Sequence, residues 1–280
     1  MSLRLLKASY CILLLLLALL MGAIPAFAQD LVQTAAVVKV GPSIAISSPT
    51  AISKDRNGNL YFLAANRSLL RIDSLGKPLG NFSPPTRGRI ASIDAWNPMK
   101  ILLFYEDRQE LLLLDRFLRP VANTTLQDQN YTGTAKAAAL AADDNFWLFD
   151  ETNLTLSKLD LQLRKITIDT PLNLILDKER FNVRQLREYQ NMVYLLDANG
   201  IFVFDNLGNY KKKLPFAGVN FIDFLNNELY FVQNGTLHFV NLYTSETRTL
   251  QLPSNYVTAL ASDARLYLFA VKQLDIYTLH

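Results

Sequence analysis

Five basic residues, Arg87, Arg89, Lys136, Arg184 and Arg187, fall just ahead of or inside short apolar stretches in three parts of the chain. Gathered at one mouth of a fold, such groups focus positive potential and attract an anionic partner even when net charge is low. The means for bond-making chemistry are sparse by comparison. Only two histidines occur, His238 and His280, too few for a cluster of metal-binding imidazoles. There is no Gly-x-Ser-x-Gly elbow, no phosphate-cradling glycine loop and no His-Glu-x-x-His pair. The residue types point to binding.

What would bring these residues together is a repeat. Asn59-Leu60-Tyr61-Phe62 is followed by Leu70-Arg71-Ile72-Asp73, and the same phrase returns as Phe146-Trp147-Leu148-Phe149 with Lys158-Leu159-Asp160. It returns again at Val193-Tyr194-Leu195 with Phe202-Val203-Phe204-Asp205, and at Leu229-Tyr230-Phe231 with Phe239-Val240-Asn241. Weaker copies centre on Leu103 with Asp115 and on Tyr267 with Asp275. The copies recur at about 40 residues, the size of a four-stranded propeller blade.

The segments before each aromatic strand, 50–55, 90–96, 135–142, 183–189, 219–225 and 256–262, read as inner strands. Ala137-Ala138-Ala139 has helical propensity, but turn residues flank it and the period places a strand there. Segments 78–82, 165–169, 211–214 and 248–252 read as outer strands, and 171–182 is the longest insertion. The last copy stops after its third strand, and the spare strand 34–40 can supply the fourth, leaving no free edge. The fold class expected is therefore all-β: a six-bladed β-propeller of four-stranded blades, closed by an N-terminal strand in the last blade. The recurring aromatics are read as packing between blades. Trp96 has no aromatic counterpart and is read as lining the lower mouth of the channel.

Lys54-Asp55-Arg56-Asn57-Gly58-Asn59-Leu60-Tyr61-Phe62, with Leu70-Arg71-Ile72-Asp73-Ser74-Leu75-Gly76, resembles the NHL repeat, and Asp205-Asn206-Leu207-Gly208 matches its second half. The resemblance implies an NHL-like or TolB-type six-bladed propeller. Such propellers include lactonases, a lyase, ligand sensors and protein-binding modules, so fold alone does not select a function. The lactonase-like members hold calcium on the axis with acid and amide oxygens from inner strands. The candidates here are Asp94, Asn220 and Asp223. The lyase-like members hold their metal with histidine, whereas His238 falls on a third strand.

Residues 1–28 read as a secretory signal peptide: Arg4 and Lys7, then an apolar run from Cys11 to Gly22, then Ala26-Phe27-Ala28 ahead of Gln29. A single propeller domain is expected over 29–280. The leader contains the only cysteine, two of the 28 basic residues and none of the 25 acidic ones, so the mature chain has nearly balanced charge. That balance excludes a nucleic-acid partner. Cysteine absence leans toward a bacterial envelope, with no membrane insertion after cleavage. Loops joining second and third strands carry Glu106, Asp107, Asp150, Glu151 and Asp197, which suggests an outer acidic ring around an inner basic one. The expectation is a secreted or periplasmic, non-catalytic platform for an envelope protein or anionic polymer, without a cofactor. The alternative is a calcium-dependent, lactonase-like hydrolase.

Overall fold

A computed structural model describes residues 37–84, 88–177 and 180–279. The expected signal peptide over 1–28, residues 34–36 of the expected closing strand, Arg87 and His280 lie outside the described residues. From inner to outer strand, the first blade is Ile52–Lys54, Leu60–Leu63, Leu69–Ile72 and Pro78–Phe82. The second is Ile90–Asp94, Ile101–Tyr105, Glu110–Leu114 and Pro120–Thr125. The third is Ala135–Leu140, Phe146–Asp150, Thr155–Asp160 and Lys165–Pro171, so the alanine run is a strand. The fourth is Val183–Tyr189, Met192–Asp197, Gly200–Asp205 and Tyr210–Leu214, and the fifth Asp223–Leu225, Glu228–Gln233, Thr236–Asn241 and Thr247–Gln251. The sixth is Thr258–Ala261, Arg265–Phe269 and Gln273–Leu279, completed by Val37–Ala45. The chain is a six-bladed β-propeller.

The repeat in the sequence corresponds to one register. Tyr61, Leu103, Trp147, Tyr194, Tyr230 and Tyr267 pair across the ladder with Ser53, Ile93, Ala139, Arg187, Asp223 and Leu260 on the inner strands. All six members of the aromatic series are buried. Six apolar clusters fill the six gaps between successive blades, which is the packing role a repeated large side chain serves. In the third-to-fourth gap, Leu172 and Leu176 of the long insertion join the cluster.

The recurring Asp or Asn has a separate cause. Asp73 Oδ1 accepts the amides of Leu75 and Lys77, Asp115 those of Phe117 and Arg119, and Asp205 those of Leu207 and Asn209. Asp160 and Asn241 accept amides from the two and three residues ahead. Each closes the turn from third to outer strand, satisfying backbone donors that would otherwise face solvent unpaired.

Closure follows the expected plan with a longer strand. Val37–Ala45 runs antiparallel to Gln273–Leu279, from Val37 opposite Leu279 to Ala45 opposite Gln273, with a bulge between Val40 and Ile44. Asp275 clasps the joint: it accepts Ser43 Oγ at 2.6 Å and Tyr256 Oη at 2.8 Å, and Lys39 Nζ lies 2.7 Å away. Among the described residues, no helix is long and apolar enough to cross a membrane.

Candidate functional site

The inner strands converge on an axial passage with a cup at each end. The upper cup, of about 610 Å³, opens where loops enter the inner strands. Among the described residues its charged lining is Arg67, Arg89, Lys136, Arg184 and Glu106, four cations and one carboxylate, over an apolar wall that includes Leu63, Phe104 and Val271. Lys136 Nζ lies 2.5 Å from Glu106 Oε1, and the Arg89 guanidinium 3.8 Å from Glu106 Oε2. Arg184 donates to the Val219 carbonyl at 2.7 Å and to Asn220 Oδ1 at 2.6 Å. The side chains of Arg67 and Arg89 are largely exposed to solvent.

Below this cup the passage narrows to a space of about 40 Å³. Here Arg187, only 5% exposed, reaches Asp94 Oδ1 at 3.4 Å and Asp223 Oδ1 at 3.5 Å, linking the second, fourth and fifth blades. Asp94 also accepts the Leu140 amide from the third blade, and Asp223 accepts Tyr230 Oη at 2.8 Å. Lys54, buried on the first blade, donates to the Ala261 carbonyl of the sixth. Two buried cations are thus matched by two buried carboxylates, the arrangement that makes interior charge tolerable. Burial lowers the Lys54 pKa, opposed by the Asp223 charge and reinforced by that of Arg187. Burial also acts against the Arg187 charge, but Asp94 and Asp223 outweigh it and raise its pKa.

The sequence expectations fare unevenly here. Arg89, Lys136 and Arg184 come together at one mouth, as the period implies. Arg187 does not join them: it is a buried plug, because its guanidinium finds two carboxylates inside the passage. Asp94 and Asp223 flank that guanidinium, and Asn220 receives Arg184, so none of these three candidate calcium ligands has its oxygens free. Among the described residues no group of three or more His, Cys, Asp or Glu side chains is placed to hold a metal ion. Nor do the outer acids form a separate ring. Glu106 leans into the basic cup, while Asp150 and Asp197 are buried and accept backbone amides at their turns. His238 lies on a third strand, stacked on Phe231, and burial lowers its pKa.

Several residues in and around the passage escape a sequence reading. Gln185 exchanges two hydrogen bonds with the Ile222 backbone, at 3.0 and 2.8 Å, and Gln109 does the same with Ala135, at 2.8 and 2.7 Å. Each acts as a side-chain substitute for a strand where two blades meet. Lys54 alone carries a usable signal, a cation on an inner strand otherwise made of small and apolar residues.

No family model and no curated protein matches the sequence. Solved structures match its shape. An auxiliary nutrient binding protein from Bacteroides ovatus superposes with a TM-score of 0.60 at 12% identity, over 86% of this chain and 76% of that one. Virginiamycin B lyase from Staphylococcus aureus, solved with quinupristin, gives 0.55 at 12% identity over 82% and 80%. The Cps50 (Swd1) β-propeller domain of Myceliophteria thermophila gives 0.60 at 11% identity over 86% and 99%. At these identities the likeness establishes the propeller fold that the repeat resemblance implied.

Proposed function

We propose that this chain is a non-catalytic binding protein of the periplasm or cell surface, which captures an anionic group of a protein or polymer in its upper cup. The observation that carries the reading is the lining of that cup: among the described residues, four cations and a single acid around a cavity of about 610 Å³ that narrows below to about 40 Å³. Cavities of roughly 300–1,000 Å³ are the size that encloses a ligand or an inserted peptide end. Desolvated walls beneath a rim of cations strengthen attraction for an incoming anion. The leader over 1–28 supports an extracytoplasmic location, with 29–280 as the mature propeller. The similar structures include both a nutrient binder and a lyase, so the choice rests on the site and not on the fold. A calcium-dependent hydrolase has weaker support, because its three oxygen ligands already serve Arg187 and Arg184.

The test is a titration with a fluorescent hexaglutamate peptide. Wild type is expected to bind, with affinity falling as salt rises. Arg67→Glu combined with Arg89→Glu reverses two exposed charges and should weaken binding at least about tenfold, or 1.4 kcal/mol, with the melting temperature preserved. Arg187 is unsuitable for such a reversal, since its side chain is structural. Failure of wild type to bind the peptide, or full binding by the double variant, would overturn the reading.

A further inference from the structure

At the opposite end of the passage a second cavity, of about 470 Å³, opens beside Trp96. Counting three residues on from each inner-strand partner of the recurring aromatic, the blades present Arg56, Trp96, Ala142, Gln190, Asn226 and Asp263. Five blades place a small or polar residue at this position. The second places an indole, 39% exposed, where no blade-packing role calls for one. What sets it apart is its place: it borders a cavity, which the other positions of the ring line only with small or polar side chains or not at all.

The indole is also held still. Its ring meets Tyr189 edge-on at 5.6 Å, and Tyr189 stacks flat on buried Phe224 at 4.4 Å, so an aromatic ladder from two other blades fixes it. Tyr189 is itself tied by its hydroxyl to the Asn226 carbonyl at 2.7 Å. A platform fixed before binding loses little conformational freedom on contact.

The polar groups around it narrow the ligand class. The acids at this end all have partners: Asp144 pairs with Lys100 at 2.7 Å, Glu188 accepts Trp147 Nε1 at 2.6 Å and the Ala142 amide, Asp94 holds Arg187 and the Leu140 amide, and Asp263 accepts the Asn226 side-chain amide at 3.2 Å. A cationic ligand would have to compete with these partners for a carboxylate. The exposed Arg56 and Asn191 side chains also line the cavity, offering a guanidinium and an amide near the indole. A flat apolar face ringed by hydrogen-bonding side chains matches a pyranose whose hydroxyls are equatorial: its C–H face lies on the ring while its hydroxyls point to the rim. We infer that the lower mouth is a saccharide-binding site in which Trp96 is the stacking platform and Arg56 and Asn191 take the sugar hydroxyls.

This inference does not depend on the upper cup, and the protein provides its own reporter. Of its two tryptophans, Trp147 has no exposed surface, so emission that acrylamide can quench belongs to Trp96. The full-length mature protein is titrated with chitohexaose and with cellohexaose. At least one should saturably shield Trp96 from quenching. By direct calorimetry, Trp96→Ala should weaken that binding at least tenfold, and Trp96→Phe less, at an unchanged melting temperature. The upper-cup variant with Arg67→Glu and Arg89→Glu should bind the hexasaccharide as wild type does, which separates this result from the hexaglutamate test. Shielding by neither hexasaccharide, undiminished binding by Trp96→Ala, or equal shielding by adenosine would overturn the assignment.

Discussion

The two mouths of the passage are built on the same six inner strands, yet their surfaces differ in kind. At the upper one, Arg67, Arg89, Lys136 and Arg184 extend from loops and strand starts, long flexible cations whose effect reaches beyond contact. At the lower one, the exposed surface is a rigid ring, Trp96 braced by Tyr189 and Phe224, whose effect ends at van der Waals distance. The first suits steering and capture, and the second recognition of shape. Between the two, Arg187 spans the narrowed passage from Asp94 to Asp223.

Removing that plug breaks the comparison most severely. Arg187→Met leaves Asp94 and Asp223 buried without the guanidinium between them, and the cost expected for breaking such a pair is about 3–5 kcal/mol. Urea unfolding should show it as a large fall in midpoint. Adding Asp94→Asn and Asp223→Asn should recover most of the loss, since the charges to be compensated are then gone.

A middle-sized effect lies outside both cups. Burial opposes ionisation of Asp275, but hydrogen bonds from Lys39, Ser43, Tyr256 and Gln273 outweigh it and hold the pKa down to about 2. A carboxyl depressed in the folded state stabilises above its unfolded value, about 3.9, and that contribution drains away as pH falls toward 2. Asp275→Asn is expected to cost about 1.5–3 kcal/mol at pH 7, and the gap to wild type should close as pH falls from 5 to 2. Thermal unfolding across that range checks the sign, and unaltered binding of both probes at pH 7 would show that closure and the mouths are separable.

The smallest change sharpens the contrast. Glu106→Gln frees Lys136 and Arg89 from their only carboxylate in the cup and should tighten hexaglutamate binding about threefold, the scale of one half-exposed ion pair. Hexasaccharide binding at the other mouth should not move. Fluorescence titration of both probes on the one variant checks it.

The blades were legible in the sequence because their key residues perform local tasks repeated in each copy. Tyr61, Trp147 and Tyr230 pack a gap between blades, and Asp73, Asp115 and Asp205 cap a turn of fixed length. Trp96 was legible as an aromatic at the end of an inner strand with no aromatic counterpart in the other copies. Arg187 was not, for a geometric reason. The period assigns it to an inner strand but not to a face, and the strand begins with a bulge between Val183 and Gln185 that resets the alternation of side chains. Its partners, Asp94 and Asp223, belong to other blades and meet it only once the ring is formed. The calcium candidates were misleading for the same cause: acids on inner strands do converge on the axis, but on a guanidinium the sequence placed elsewhere.

The seam of the ring also determines how the molecule would respond to tension. Val37 lies opposite Leu279, so the two chain segments of the joint leave from the same end of their shared ladder. A pull applied through both would open the seam like a zipper, one residue pair at a time, rather than straining all its hydrogen bonds at once. The bonds of Lys39 and Ser43 to Asp275 lie further in, behind the first pairs to part. A propeller tethered at both ends would therefore yield mechanically at its sixth blade while the other five stayed whole.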